Sequence, residues 1–188
     1  QSKRNEIIEM AIDSGINYFD TTIPREAESL GTALQDLGLR EEVIIAAATM
    51  NPFARLDEKS RSEWTDVFRD LVEERLELLK TEYIDIFNIH VPEYNYSEDK
   101  LRTFLDVLEV MGEEDRVRAI GASSHEPRFL ASLMKNFDHF GSVMIPYNYF
   151  FQDARETLFP VCSDRNVGIV VMKPLVWPYY GIPFMEFC

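Results

Sequence analysis

The sequence predicts an α/β protein built as a parallel β/α barrel, and three observations predict it. Six short segments rich in Val, Ile and Ala alternate with six segments whose apolar residues recur at helical spacing. The short segments are apolar on both faces, as strands covered by helices must be. No GxGxxG or Walker sequence follows any of them, so an open dinucleotide-binding sheet lacks its fingerprint. Six repeats fall short of the eight that close a barrel. The chain opens on a helical segment and stops soon after a strand, the pattern of a barrel without its ends. All 188 residues, 1–188, are expected to form a single domain.

Each element has its own warrant. Residues 5–14 read as a helix, with Ile7, Ile8, Met10, Ala11 and Ile12 on its apolar side and Gly15 at the stop position. Residues 16–21 form a strand with Asp20 near its end. Residues 26–37 are helical, with Leu30, Ala33, Leu34 and Leu37 on one face and Gly38 after them. The strand 43–48 follows, then a long irregular connection over 50–60. Trp64, Val67, Phe68, Leu71, Val72, Leu76 and Leu79 mark a helix over 63–80. The stretch 83–93 is an apolar strand rich in Ile and Phe, closed by Pro92. A polar loop with Tyr94 and Tyr96 leads to a helix over 98–111, for which Ser97 is the N-cap. Strands at 117–124, 142–148 and 167–174 alternate with helices at 126–136 and 154–164. The tail from 175 to 188 is aromatic and proline-rich. It is the candidate cover for an exposed sheet edge, and Trp177, Tyr179 and Tyr180 either line a pocket or pack that segment.

Composition excludes several functions. A net charge of −14 argues against nucleic acid or an anionic membrane surface as partner, since both need a basic footprint. Cys162 and Cys188 show no CxxC spacing, so neither a disulfide framework nor a zinc site is indicated. No apolar run reaches the length of a membrane span and no signal-peptide pattern opens the chain, so a cytoplasmic location is expected. The expected partner is a small-molecule substrate, and exposed edge strands offer a route to a homo-oligomer.

In a parallel β/α protein, catalytic groups sit at the carboxyl ends of the strands. His90 ends its strand, where it either exchanges protons near neutral pH or merely caps the strand. Asp20 and Lys173 hold equivalent places, and Lys173 alternatively pairs with an acid such as Asp20.

Four stretches carry a resemblance. Gly15-Ile16-Asn17-Tyr18-Phe19-Asp20-Thr21, the run from Glu82 to Pro92, Arg116 to Ser123, and the pairs Tyr147-Asn148 and Pro174-Leu175 resemble the aldo-keto reductases, in the right order. The resemblance implies a parallel (β/α)8 TIM barrel, here incomplete, lacking the first strand and the last repeat. It also implies no metal, and hydride transfer between NADP and a carbonyl, assisted by an Asp, a Tyr, a Lys and a His. Residue by residue, Asp20 and His90 match. Arg25 stands where the family has its Tyr, and Ala48 where it has its Lys. Of the cofactor set, Ser123 matches, Ser124 replaces an Asn, Met144 a Gln and Met172 the stacking Tyr. Ser123, Ser124 and Asn148 are therefore the expected cofactor-binding residues.

The catalytic set expected is Asp20, Arg25, His90 and Lys173, converging on one mouth with Ser123 and Asn148. His90 would act as the acid. Arg25, a permanent cation, or Lys173 would orient the substrate. The alternative is a non-redox or catalytically inactive relative that binds a small molecule at the barrel mouth, or one that uses Asp20, His90 and Lys173 for proton transfer.

Overall fold

The computed structural model describes residues 2–91 and 93–175. The order is α1 (Ser2–Asp13), β1 (Tyr18–Thr21), α2 (Pro24–Leu37), β2 (Ile44–Thr49), α3 (Trp64–Leu79) and β3 (Ile84–His90). Then come α4 (Glu98–Glu113), β4 (Val117–Ser123), α5 (Pro127–Asn136), β5 (Phe140–Pro146), α6 (Ala154–Thr157), α7 (Phe159–Asp164) and β6 (Gly168–Met172). The six strands form one parallel sheet in sequence order. Among the described residues β1 and β6 do not pair, so the sheet is a curled half-barrel with two open edges.

Sequence sets the helix ends. Pro24 opens α2, and the Glu26 carboxylate accepts the Thr22 and Ile23 N–H groups at 2.9 and 3.2 Å. Gly38 closes that helix at φ 69°, which glycine adopts at little cost. Ser97 caps α4 by accepting from the Lys100 N–H. Gly31 has a packing reason: a Cβ there would lie 2.4 Å from the Leu79 carbonyl carbon, so α2 and α3 approach backbone to backbone.

Two expectations need amendment. The helix read over 154–164 is broken at Leu158, because Pro160 has no N–H to continue the ladder and restarts the chain as α7. The connection over 50–60 is not wholly irregular. It contains a 3-10 turn, Pro52–Leu56, that buries Phe53 and Leu56.

Alternation along each strand divides the sheet into two faces. Ile45, Phe87, Ile89, Ala122, Val143 and Ile145 pack with the buried faces of the helices in one apolar core. Phe68 and Phe104 stack in it at 4.3 Å between ring centroids, and Phe87 meets Phe104 edge-on. The opposite face lines the lumen. The edges are barer than strands covered on both faces: Ile169 and Val171 of β6 are exposed, as are Ile7 and Met10 of α1. Of the aromatic tail expected to cover such an edge, Leu175 is described and exposed, and residues 176–188, with Trp177, Tyr179, Tyr180 and Cys188, lie outside the described residues. Cys162 is a buried core thiol, pushed up to about 11 by burial.

The lower end of β3 carries a charge cluster. Asp85 accepts from Arg40 Nη2 at 2.8 Å, from Arg118 Nη1 at 3.0 Å and from the Ile45 N–H at 2.9 Å. The two guanidinium groups sandwich the Tyr83 ring, at 3.9 and 3.6 Å from its centroid.

Candidate active site

Register stacks the lumen side chains in layers. Ala48, Asn88, Gly121, Ser142 and Gly168 are neighbours across five strands. Glycine is required at 121, because a Cβ would sit 2.0 Å from Asn88 Oδ1. Above this floor of small residues lie His90, Ser123 and Met144, again in register. The small floor and the larger rim leave a cavity of about 300 Å³ at the carboxyl ends of the strands. Asp20, His90, Ser123, His125, Met144 and Lys173 line it. A second cavity, about 450 Å³, lies beyond His125 and Lys173 and is bounded by Phe150, Phe151 and Asp153.

The structure brings Asp20, His90, Ser123 and Lys173 together. It does not bring Arg25 with them. β1 ends at Thr21 and α2 starts at Pro24, so Arg25 falls in the first helical turn instead of a loop over the mouth. There it borders a separate depression with Arg4, Glu28 and Ser29. Ser124 and Asn148 are also taken up elsewhere. Ser124 is fully buried and its Oγ accepts from the Glu126 N–H at 3.3 Å, shaping the turn into α5. Asn148 donates through Nδ2 to the Lys173 carbonyl at 3.0 Å, while its Oδ1 accepts the Phe150 and Phe151 N–H groups.

His125 is the member that sequence reasoning missed. Its Nε2 lies 2.7 Å from Lys173 Nζ, and its ring meets His90 edge-on at 6.5 Å. The signal was available, for His125 stands just past the end of β4, as His90 ends β3. Asn88 is a second such residue, buried in the floor of the cavity.

Electrostatics at the mouth run against charge. Burial, then Lys173, holds His90 below the usual histidine range, while a hydrogen bond with the Ser123 main chain pulls the other way. Burial, Lys173 and His90 lower His125 likewise, and burial lowers Lys173. Asp20 keeps an exposed edge, yet desolvation and the neighbouring Glu26 push its carboxyl up to about 6. Tyr18, on the same lumen face, is pushed up to about 12 by burial and by Asp20, which makes its phenol a weaker acid than usual. Neither Tyr18 Oη nor Asn88 Nδ2 makes a hydrogen bond among the described residues, although Asn88 lies close enough to bias the phenol toward ionisation. No group of three or more His, Cys, Asp or Glu gathers as a metal site among the described residues, and none of their helices is long and apolar enough to cross a membrane.

Comparison with known proteins bears on this arrangement. The family model for the aldo/keto reductase family matches residues 1–178. An aldo-keto reductase of Bacillus subtilis, YhdN, is 30% identical over 184 residues, covering 90% of this chain and 51% of its own. A 9,11-endoperoxide prostaglandin H2 reductase of Trypanosoma cruzi is 30% identical over 171 residues, covering 89% and 55%. Among solved structures, an aldo/keto reductase from Klebsiella pneumoniae in complex with NADP and acetate superposes with a TM-score of 0.75 at 18% identity, over 93% of this chain and 58% of that one. At that identity the likeness concerns the fold. The chain spans about half the length of the curated relatives it matches. With a family model over nearly all of its length and a parallel half-barrel that superposes on the family's barrels, the chain belongs to the aldo/keto reductase family.

Proposed function

We propose that the chain forms the carbonyl-binding part of an NAD(P)H-dependent oxidoreductase with a degenerate catalytic tetrad. The observation that carries this reading is the gathering of Asp20, His90 and Lys173 around one cavity, at the carboxyl ends of a parallel sheet, in a chain of this family. A carbonyl oxygen seated between His90 and Lys173 meets a cation that polarises it and a ring that donates a proton as negative charge develops. His90 donates only when charged. Because its pKa is lowered, reduction is favoured as pH falls, and the neutral ring is a proton acceptor for the reverse, alcohol-oxidising direction.

The residues expected to hold a nicotinamide do not fit it. Ser123 faces the cavity, but Ser124 and Asn148 are engaged by the protein's own main chain, and Met144 and Met172 offer no amide or ring. That observation favours a second reading, a relative that binds a small carbonyl compound at the mouth without redox chemistry.

Titrating the purified protein with NADPH while following cofactor fluorescence, then adding a panel of aldehydes and ketones, separates the two. A saturable fluorescence change with carbonyl-dependent loss of NADPH supports the oxidoreductase. Carbonyl binding without any cofactor response establishes the second reading in its place.

A further inference from the structure

The inner cavity has an unusual wall. Apart from Ala48, every apolar side chain that lines it is a methionine: Met50, Met144 and Met172, three of the seven in the chain. The opposite face of the same sheet is filled with Ile, Val, Phe and Ala, the residues that a purely apolar wall takes. The three methionines come from three different strands. Met50 directly follows β2, Met144 lies in β5 and Met172 closes β6. Thr49 pairs with Ile89, His90 with Ser123 and Ser123 with Met144, so Met50, His90 and Met144 stand along one row of the rim. Met172 pairs with Pro146, one lumen position above Met144.

These donors belong to one chemical class. A thioether is a soft, polarisable, uncharged ligand, and the three rotatable bonds of methionine let its sulfur swing toward an ion. Thioethers select Cu(I), whereas carboxylates, carbonyls and water suit Mg, Ca or Mn. His90 adds an imidazole. The Ser123 main chain meets its ring with a hydrogen bond that favours the protonated form, so a ring N–H donates to a carbonyl. In the neutral ring that bond fixes the tautomer and the orientation and leaves the lone pair on the other nitrogen, as in metal-ligating histidines. Two charged side chains of opposite sign also line the cavity. The Asp20 carboxylate favours a cation and the Lys173 ammonium disfavours one, so one positive charge is better tolerated than two. His125 and Lys173 are engaged with each other and are not called on as ligands.

We propose that Met50, Met144, Met172 and His90 form a binding site for a soft monovalent metal ion, Cu(I), in the inner cavity. Its donors differ from the His, Cys, Asp and Glu groupings of harder metal centres, none of which gathers among the described residues. The proposal goes beyond the carbonyl reading and does not depend on it. An ion held there takes the His90 nitrogen that the carbonyl reading uses, so metal and carbonyl compound compete for the mouth.

The test measures metal retention, without turnover. The purified protein is titrated with Cu(I) under anaerobic conditions against the chelator bicinchoninate. Cys188→Ser is carried in every sample so that its thiol does not compete, and Cys162 is buried. One Cu(I) per chain should be retained. Met144→Leu and Met172→Leu, which keep the volume and remove the sulfur, should each weaken retention by about tenfold or more, and His90→Phe likewise. Met10→Leu, on the exposed side of α1, should change nothing. Circular dichroism verifies that each variant is folded. In the parent, Ag(I) should move the NMR signals of the Met50, Met144 and Met172 methyl groups and leave those of Met10 and Met111 in place, and Zn(II) should move none. Loss of all Cu(I) to the chelator, methionine signals indifferent to Ag(I), undiminished retention in the folded Met144→Leu and Met172→Leu variants, or equal retention of Zn(II) each overturns the proposal.

Discussion

The two ends of strand β3 hold charge for opposite purposes. At its start, Asp85 is almost enclosed and receives two arginines and a main-chain N–H, and each charge there has a strong opposite partner. At its end, His90 faces a cavity beside Lys173 and another histidine, and these three groups and Asp20 are pushed toward their neutral forms. The first arrangement minimises electrostatic free energy and locks the strands that carry it. The second leaves it unminimised, which is what a site that must complete itself with a ligand requires. In a parallel barrel the amino ends of strands bear stability and the carboxyl ends bear chemistry, and the seven residues of β3 carry one of these charge arrangements at each end.

Asp85→Ala should produce the largest effect and strike only the lower end. It removes the carboxylate that faces Arg40, which keeps its Thr81, Val43 and Tyr83 acceptors, and leaves the Ile45 N–H unmatched in a largely buried place, for a loss of about 3 kcal/mol. For a domain of this size that is a fall of roughly 10 °C in melting temperature. Ligand binding at the mouth of the folded fraction should be unchanged, and a loss of affinity matching the loss of stability would erase the distinction between the ends.

His90→Ala is the converse. Melting should shift by no more than about 1 kcal/mol, as for a rim position. Ligand binding or turnover at the mouth should fall at least tenfold. A large melting shift with function preserved would make His90 a structural cap.

Asp20→Asn is the smallest and sharpest. As pH rises through about 6, Asp20 ionises and adds a negative charge to the mouth. Affinity of the mouth for an anionic probe such as acetate should therefore fall across that range in the parent protein and fall less in the variant. Any slope left at lower pH belongs to His90 and His125. The sign for stability follows from the raised pKa. The folded state holds this proton more tightly than the unfolded chain, so the stabilisation is complete below about 4 and lost as pH passes about 6. The variant should melt no lower than the parent at pH 8. A lower melting point there would mean that ionised Asp20 has a favourable partner.

The strands were legible because their pattern is local. Val43 to Ala48 and Ile84 to His90 announce themselves within a handful of residues, and their order around the sheet follows from the alternation with helices. Sites depend on what is not local. Arg25 was misplaced because counting five residues from Asp20 ignores that Pro24 has already begun a helix. The Asn148 amide looks free in the sequence, yet one of its partners is the carbonyl of a residue 25 positions on. His125 lay one residue past the point where the β4 strand was judged to end, and its meeting with Lys173 depends on the parallel pairing that brings β4, β5 and β6 side by side. The break at Leu158 was readable from Pro160, and the apolar residues on either side of it masked the signal.

The short link between β1 and α2 also governs traffic. Only residues 22–23 join them, whereas residues 50–63 rise between β2 and α3 and residues 147–153 between β5 and α6. Among the described residues the rim is therefore low beside β1 and again beside β4, where only residues 124–126 precede α5, and higher where the longer links stand. Asp20 stands at the first of these low places. An anion approaching from that side should therefore be slowed as this carboxyl ionises.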